Sequence, residues 1–599
     1  LFLAFTTNMG NSQVKRLFTF ALISGFIVAG YGILEKFGID KDIWIQDVQS
    51  RVFSTLGQPN WLAAFLAILL PVAIYNLLII RMHKLAEIKI PNFWGNIPKN
   101  HRINRFLNFV QSSSILHFTL CTLFYLCLLF TKSRSGFLGF WAANGIFWAT
   151  LWWKAKDKIY LKKPFLILNL AFVILNFFFT TPFGQYNKYL SIELLQKNAP
   201  QKIEKTTVTD SVLEVGAGTD SGDLRKIVWK GAFDIIKNYP MFGTGPETFA
   251  YAYYRFRPVE HNLTSEWDFL YNRAHNEFLN IAATSGLTGL ITYLMFILTF
   301  CIFAVKQAWH KHDIQLKIIS AALLSAFAGI LVTNFFGFSV VIVGLYFYLI
   351  PAFLYCFNVD AQQDNNSTPP SGTQIAVAFA ASAIPAVTIT LLLAMVWLTD
   401  SMYAKAIGFR RSEDFAQAYP LITAAVSMRP DEPMYHDERA SIAAGLALGI
   451  YENKDATSAS QLMQEALAQS KQAITISPQN VNFWKTRTKI LFQFSTIDEQ
   501  FADKALTAIS IAQELAPTDA KIAYNRAVIL NGIGKQNEAI DQIKKTLEMK
   551  SDYKDAYIAL SIFYEKANQI ESAKEAIRTA LKKVNPNAGE LKERLEKLK

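Results

Sequence analysis

Long apolar runs follow one another along the first four hundred residues of the chain and then stop. Nine of them approach the roughly 20 apolar residues that a helix needs to cross the core of a bilayer. They lie at 18–34, 61–80, 115–130, 136–153, 165–183, 287–305, 318–335, 339–358 and 375–398. The pattern predicts an all-α protein with a polytopic membrane domain over 1–400, which contains a large external loop at 184–274, and a separate domain over 401–599.

The first residues predict further membrane-spanning helices ahead of the sequence given. The chain begins at Leu1, and residues 1–7 resemble the end of another apolar run. We therefore expect N-terminal spans that precede residue 1.

Beyond residue 400 the chain is rich in Ala, Lys and Glu and has a period of 34 residues. The period aligns Pro517 with Ser551 and Asn585, Tyr524 with Ile558, Ala527 with Ser561, and Ala539 with Ala573. It is typical of tetratricopeptide units, in which paired helices stack on the next pair. We predict an α-solenoid that offers a surface to a protein partner and has no catalytic role.

The positive charge of the chain indicates membrane orientation. The net charge is +12, and many Lys and Arg residues lie in 81–114, 154–163 and 306–317. Basic short loops stay in the cytoplasm, so the loops between them face outward. We expect no binding to nucleic acid.

The side of the repeat domain stays open at this point. Counting spans puts it outside, with the large loop. Local charge argues the opposite, because 359–374 has no Lys or Arg whereas Lys405, Arg410 and Arg411 follow the last run.

Metals and cofactors are not expected. All four cysteines, at 121, 127, 301 and 356, lie within apolar runs without a CxxC pair, and the external loop has no Asp-x-Asp pair.

Few residues with catalytic potential lie on the predicted outer side. His275 and His261 are the histidines of the large loop, and Arg134 stands in a short external turn with Lys132. A guanidinium suits bidentate capture of phosphate oxygens. The plainer alternatives are an interfacial histidine at a helix start and an arginine that snorkels to the interface.

Four motifs together resemble the O-antigen ligase/polymerase family, which includes pilin-directed oligosaccharyltransferases. They are Gly57-Gln58-Pro59-Asn60, Ser133-Arg134-Ser135-Gly136, the loop series from Arg225 through Gly243-Thr244-Gly245-Pro246 to Phe249, and His275-Asn276 followed by Gly286 and Gly289. The resemblance spans about 50–350. Ser135 departs from the glycine more usual there.

The resemblance implies a reaction at the periplasmic face of the bacterial inner membrane. A glycan would pass en bloc from undecaprenyl diphosphate to a lipid A-core, glycan or protein acceptor, as in lipopolysaccharide and cell-envelope biosynthesis. Arg134 and Arg225 would hold the diphosphate and His275 would orient or deprotonate the acceptor. Four further residues are candidates for substrate binding, with loop packing or surface charge as the alternative: Lys132, Glu247, Tyr254 and Arg273.

Two other classes of function remain open. A transporter or flippase of lipid-linked glycan predicts charged residues inside the spans and broken helices related between halves. The second class is a non-catalytic membrane scaffold that displays repeats. It gives Arg134, Arg225 and His275 no common function. Within the family, the motifs do not separate ligase, polymerase and protein oligosaccharyltransferase.

Overall fold

The computed structural model describes residues 2–44, 46–85, 113–153, 159–184, 187, 221–310, 313–358 and 371–598. Every regular element in these residues is helical, which confirms the all-α class. The chain divides into two compact units. The membrane unit comprises Leu1–Leu213 and Arg273–Ser367, and the loop–repeat unit comprises Glu214–Asn272 and Thr368–Lys599.

The described helices, in chain order, are α1 (Phe2–Asn8), α2 (Asn11–Lys36), α3 (Pro59–Leu85), α4 (Ser114–Phe130), α5 (Arg134–Trp153), α6 (Ile159–Phe179), α7 (Ser221–Asn238), α8 (Phe249–Phe256), α9 (Glu277–His310), α10 (Ile314–Phe335), α11 (Val341–Asn358), α12 (Gly372–Arg411), α13 (Phe415–Met428), α14 (Pro433–Glu452), α15 (Ala456–Ile476), α16 (Val481–Phe494), α17 (Gln500–Leu515), α18 (Ala520–Gly532), α19 (Gln536–Met549), α20 (Lys554–Lys566), α21 (Ile570–Lys583) and α22 (Gly589–Lys597).

All nine predicted runs fall on helices. Seven described helices, α2, α3, α6, α9, α10, α11 and α12, are long and apolar enough to cross a membrane. The other two runs form α4, which has 17 residues, and α5, which has 20. At a rise of about 1.5 Å per residue, these helices are close to the thickness of a bilayer core. The chain is an integral membrane protein.

Helix α3 forms the centre of the membrane unit. In its apolar window 89% of residues are buried, against 22% in α6 and 11% in α9. The outer helices therefore keep apolar side chains at the surface, where the hydrocarbon of a bilayer would cover them.

Two glycines let α5 lie close to its neighbours. A Cβ at Gly136 would stand 2.3 Å from the Cβ of Ala63 on α3. A Cβ at Gly139 would stand 3.1 Å from the carbonyl oxygen of Gly329 on α10. Small residues permit such backbone approach between helices in a membrane, where dispersion between well-packed surfaces drives association.

The C-terminal helices of the loop–repeat unit pack as successive pairs, α14 with α15, α16 with α17, α18 with α19, and α20 with α21. Helix α18 begins at Ala520 and α20 at Lys554, which matches the period of 34 residues. The small residues that the period aligns are fully buried: Ala527, Ala539, Ser561 and Ala573. The α-solenoid prediction is confirmed.

Replacing one of these small residues by a large one should loosen the solenoid. Ala573→Leu adds bulk to a fully buried position of α21, so we expect the free energy of unfolding to fall by about 1–3 kcal/mol. Thermal unfolding of the detergent-solubilised full chain measures the effect. Ser572→Leu, at the exposed neighbouring position, is the control, and equal melting temperatures for both variants would contradict the packing described.

Candidate active site

Two of the four motifs meet where α3 and α5 begin. The hydroxyl of Ser133 donates to Oδ1 of Asn60 at 2.8 Å. The same oxygen accepts from the backbone N–H of Gly136 at 3.2 Å, so that it caps α5. Ser133 is fully buried. The serine therefore ties the turn before α3 to the turn before α5.

The turn that leads into α3 is held from α2. The carboxylate of Glu35 is fully buried and accepts from the backbone N–H groups of Phe53 at 3.0 Å and Ser54 at 2.8 Å. Gly57 follows with a φ of +75°, a conformation that glycine adopts at little cost. The chain can then enter α3 at Pro59, where a missing N–H does no harm.

Arg51 is a functional candidate that the sequence reasoning missed. Its Nε donates to the carbonyl oxygen of Thr131 at 3.1 Å, which brings it to the turn that carries Arg134. Partial burial lowers the pKa of the Arg51 guanidinium, and the like charge of Arg134 lowers it further. Two cations held close together favour an anion between them. In the sequence, the signal for a functional role of Arg51 is its position shortly before Gly57. The loop that contains both residues is slightly acidic overall, so its charge gives no such signal.

Both predicted cations of the external turn have exposed side chains. Lys132 has a φ of +49°, and Arg134 is the first residue of α5. At a helix N-terminus the peptide dipoles and the uncapped N–H groups favour an anion. The start of α5 therefore combines a guanidinium with the positive end of a helix.

His275 lies at the start of α9 in a constrained conformation. Its φ is +52°, which is uncommon for a residue other than glycine. Buried asparagines hold the backbone on either side. Oδ1 of Asn276 accepts from the N–H of Leu279 at 3.1 Å, and Oδ1 of Asn280 accepts from the N–H of Ala274 at 3.2 Å. Such strain persists where the surroundings over-determine it, which is common at functional sites.

Phe338 positions two of the predicted site residues. The His275 and Phe338 rings pack in a T-shaped arrangement with centroids 5.3 Å apart, and the Arg273 guanidinium lies 5.3 Å from the centroid of the Phe338 ring. The sequence reasoning did not single out Phe338, which gave no signal because it lies among many apolar residues.

His275 and Arg134 lie at the same end of the membrane unit. A carboxylate oxygen of Glu277, two residues after His275, accepts from the N–H of Ser339 just beyond the end of α10. Thr333, near that end of α10, meets α5 at Gly139, little more than a turn from Arg134. The end of α10 therefore contacts the elements that carry both residues.

The two glycines of the histidine motif shape α9. Gly286 has φ +69° and ψ −174°, which are not helical values, so the helix breaks there. A Cβ at Gly289 would lie 2.4 Å from the Cβ of Ser285. The break separates the short segment after His275 from the long apolar helix that follows.

The remaining predicted site residues belong to the loop–repeat unit. Arg225 is a half-buried residue of α7, and its charge reaches Tyr271. Glu247 is exposed in a tight turn with a φ of +58°. Tyr254 is buried, and its hydroxyl donates to Oδ1 of Asn482 in α16 at 3.2 Å. The position of Tyr254 indicates that it packs on the repeats. Substrate binding by Arg225, Glu247 and Tyr254 stays a prediction.

His261, the other loop histidine, has a structural environment. It is fully buried, it accepts from the Tyr253 hydroxyl at 3.0 Å, and it donates to the carbonyl oxygen of Glu266 at 3.1 Å. Burial, and then the charge of Arg257, lowers the pKa of His261 to about 4. The ring is neutral near pH 7 and both nitrogens are engaged.

Among the described residues, no group of three or more His, Cys, Asp or Glu side chains is arranged to hold a metal ion. The like charges that lie close together at this end of the membrane unit are the guanidinium groups of Arg51 and Arg134. They suit an anionic group such as a diphosphate.

Residues 118–294 match the family model Wzy_C, described as O-Antigen ligase. This segment includes Arg134, Arg225 and His275. The resemblance to this family is therefore confirmed over the matched segment, which is less than half of the chain. No curated protein matches the chain.

Solved structures that resemble about a third of the chain include two tetratricopeptide (TPR) proteins and MamA. TTC0263 from Thermus thermophilus is 16% identical, with 33% of this chain and 98% of that chain covered and a TM-score of 0.26. YrrB, a TPR protein with an unusual peptide-binding site, is 17% identical, with 32% and 88% covered and a TM-score of 0.24. MamA from Desulfovibrio magneticus RS-1 is 11% identical, with 32% and 98% covered and a TM-score of 0.26.

The buried His261 should make the loop–repeat unit sensitive to acid. In the unfolded chain its pKa is near 6.5, so between about pH 6.5 and pH 4 only the unfolded state takes up the proton. The contribution of the neutral His261 ring to the free energy of unfolding is complete above this pH window. It is lost as the pH falls through the window, at up to ~1.4 kcal/mol per pH unit. We expect the melting temperature to drop less between pH 7.5 and 5 in His261→Gln than in wild type. Equal drops would contradict a neutral buried histidine.

Proposed function

We propose that the chain transfers a glycan en bloc from an undecaprenyl-diphosphate carrier to an acceptor nucleophile at the periplasmic face of the bacterial inner membrane. The acceptor is a lipid A-core, a glycan or a protein. The observation that carries the proposal is the grouping, at one end of the membrane unit, of Arg51 and Arg134 with the strained segment around His275. Two of the family-like motifs are hydrogen-bonded to each other at that end.

The reaction needs charge stabilisation on the leaving group. The acceptor oxygen forms a bond to the anomeric carbon of the first sugar, and the bond from that carbon to the diphosphate oxygen breaks. The electron pair leaves with undecaprenyl diphosphate, so negative charge grows on the phosphates. Arg134 and Arg51 are preorganised cations for this charge, which is the largest kind of contribution that an enzyme site makes.

The acceptor proton also needs a destination. A neutral imidazole at His275 would take the proton of the acceptor hydroxyl as the new bond forms. Such general base catalysis typically contributes ~10²–10⁴-fold in rate. The fixed backbone on both sides of His275 supports this role, because a base acts only when it is held within hydrogen-bonding reach.

The family resemblance predicts roles for several further residues. Arg225 would contact the diphosphate as well, and Lys132, Glu247, Tyr254 and Arg273 would contact donor or acceptor. Arg273 has the clearest support, because it shares Phe338 with His275.

Site variants should lose glycan transfer without losing the fold. In transfer from undecaprenyl-diphosphate glycan to a panel of lipid, glycan and protein acceptors, with EDTA present, we expect His275→Ala and Arg134→Ala each to lower the rate at least ~10²-fold. The reason is loss of the base in one variant and of a phosphate-binding cation in the other. Melting temperatures of the purified variants should stay near that of wild type.

Matched controls come from the predicted cytoplasmic side. Arg81→Ala, near the far end of α3, and His101→Ala should keep wild-type transfer rates. Full activity in His275→Ala and Arg134→Ala would refute the site. Movement of the donor across vesicle membranes, without transfer to any acceptor, would favour a flippase instead.

A further inference from the structure

Part of the large loop is built into the repeat domain. Residues 249–270 make contacts with three successive regions of the solenoid, near the starts of α16, α18 and α20. The Tyr254 hydroxyl bonds to Asn482, Asn262 Nδ2 donates to the carbonyl oxygen of Thr518 at 2.8 Å, and Trp267 packs on Tyr553 with centroids 5.1 Å apart. The loop thus follows the edge of the solenoid at which the first helix of each pair begins.

A buried ion pair lies in the middle of this contact. Arg257 of the loop pairs with Asp519 of the repeats at 3.5 Å, and their side chains are only 5% and 7% exposed. Arg257 also donates to Oδ1 of Asn262 and to the carbonyl oxygen of Trp267, both at 2.6 Å. Burying two charges costs several kcal/mol per ion unless pairing and hydrogen bonds compensate. Such an arrangement indicates a permanent contact.

Backbone groups on both sides are satisfied across the same contact. The Thr518 hydroxyl donates to the carbonyl oxygen of Arg257 at 2.7 Å. The buried ammonium of Lys550 donates to the carbonyl oxygen of Asn262 at 2.8 Å and lies 4.7 Å from the centroid of the Trp267 ring. Without the repeats, these carbonyl groups would need water, and without the loop, Lys550 would lose two partners.

Apolar side chains of the loop complete clusters of the repeats. Tyr254 is 6% exposed and lies, with Leu270, in the cluster that contains Val481 and Ile522. Trp267 packs against the next cluster, which contains Tyr553. Solenoid units bury their open apolar faces on neighbouring units. Here the loop covers part of the apolar surface that the neighbouring units leave exposed.

The number of membrane crossings agrees with this contact. Between the loop and the repeats, the described residues form four helices that are long and apolar enough to span a membrane, α9, α10, α11 and α12. An even number of crossings returns the chain to the side from which it started. One of the basic residues that suggested the opposite side, Arg410, forms an ion pair with Glu438 inside the repeats.

We infer that the repeat domain lies on the same side of the membrane as the large loop and is the platform on which residues 249–270 fold. The partner of this solenoid edge is the chain's own loop. The side of the repeat domain thus follows the number of membrane-spanning helices rather than the local charge. It does not depend on the proposed chemistry.

Thiol labelling tests the membrane side. Ser265→Cys reports on the loop, Ser572→Cys on the repeats and Asp313→Cys on the short connection between α9 and α10, and all three positions are exposed. The native cysteines lie within apolar helices, so wild type is the blank for a membrane-impermeant maleimide applied to spheroplasts and to inverted vesicles. We expect Ser265→Cys and Ser572→Cys to label from one side and Asp313→Cys from the other. Labelling of Ser572→Cys together with Asp313→Cys would overturn the inference.

A charge exchange tests the platform. Lys521 of the repeats and Asp268 of the loop form an ion pair at the rim, with side chains 42% and 45% exposed. Lys521→Asp or Asp268→Lys alone places like charges together and should speed hydrogen exchange in 249–263 by up to roughly fivefold. The double variant should restore slow exchange, because the pair is reformed with opposite polarity.

The control exchanges charges inside the repeats only. Lys554 and Glu590 pair at 2.7 Å with similar exposure, so Glu590→Lys should leave exchange in 249–263 unchanged. Wild-type exchange in both single variants at the rim, or failure of the double variant to recover, would overturn the platform role. Because exchange and labelling report on structure, neither result depends on whether the chain transfers glycan.

Discussion

The close packing of α5 on α3 and α10 is the constraint on which the membrane unit depends. It requires glycine at 136, where a Cβ would stand 2.3 Å from the Cβ of Ala63, and it leaves little room at Gly139, where a Cβ would stand 3.1 Å from the carbonyl oxygen of Gly329. This packing brings the start of α5 beside the start of α3, so that Ser133 reaches Asn60. It also brings the start of α5 near the end of α10, next to the segment that carries His275. The geometry of the candidate site follows from these approaches.

The polar groups around this end are held by one another rather than by water alone. Glu35, Ser133, Asn276 and Asn280 each accept backbone or side-chain hydrogen bonds while largely buried. A buried polar group costs free energy unless it is paired. These hydrogen bonds hold the turns that carry Arg51 and His275 and the turn from which α5 begins at Arg134.

The loop–repeat unit solves a different physical problem. A long loop outside the membrane would lose much conformational entropy if it had to order by itself. The solenoid supplies an ordered edge, and the loop adds aromatic rings, an ion pair and hydrogen bonds along it. These contacts within one chain offset the conformational entropy that the loop loses when it is ordered. The repeats therefore stabilise the loop, whether or not they also bind another protein.

The local pattern of the sequence determined the elements. Apolar runs of bilayer length and a period of 34 residues predicted the membrane helices and the solenoid, because span length and helix pairing depend on neighbouring residues. The sequence also identified the motifs around Asn60, Arg134 and His275. Only the tertiary structure decided that Arg51 stands beside Arg134, that Phe338 supports His275, that His261 is a packed, neutral histidine, and that the loop lies on the repeats. These contacts join residues far apart in the chain, and no local pattern specifies which distant side chains become neighbours when helices pack.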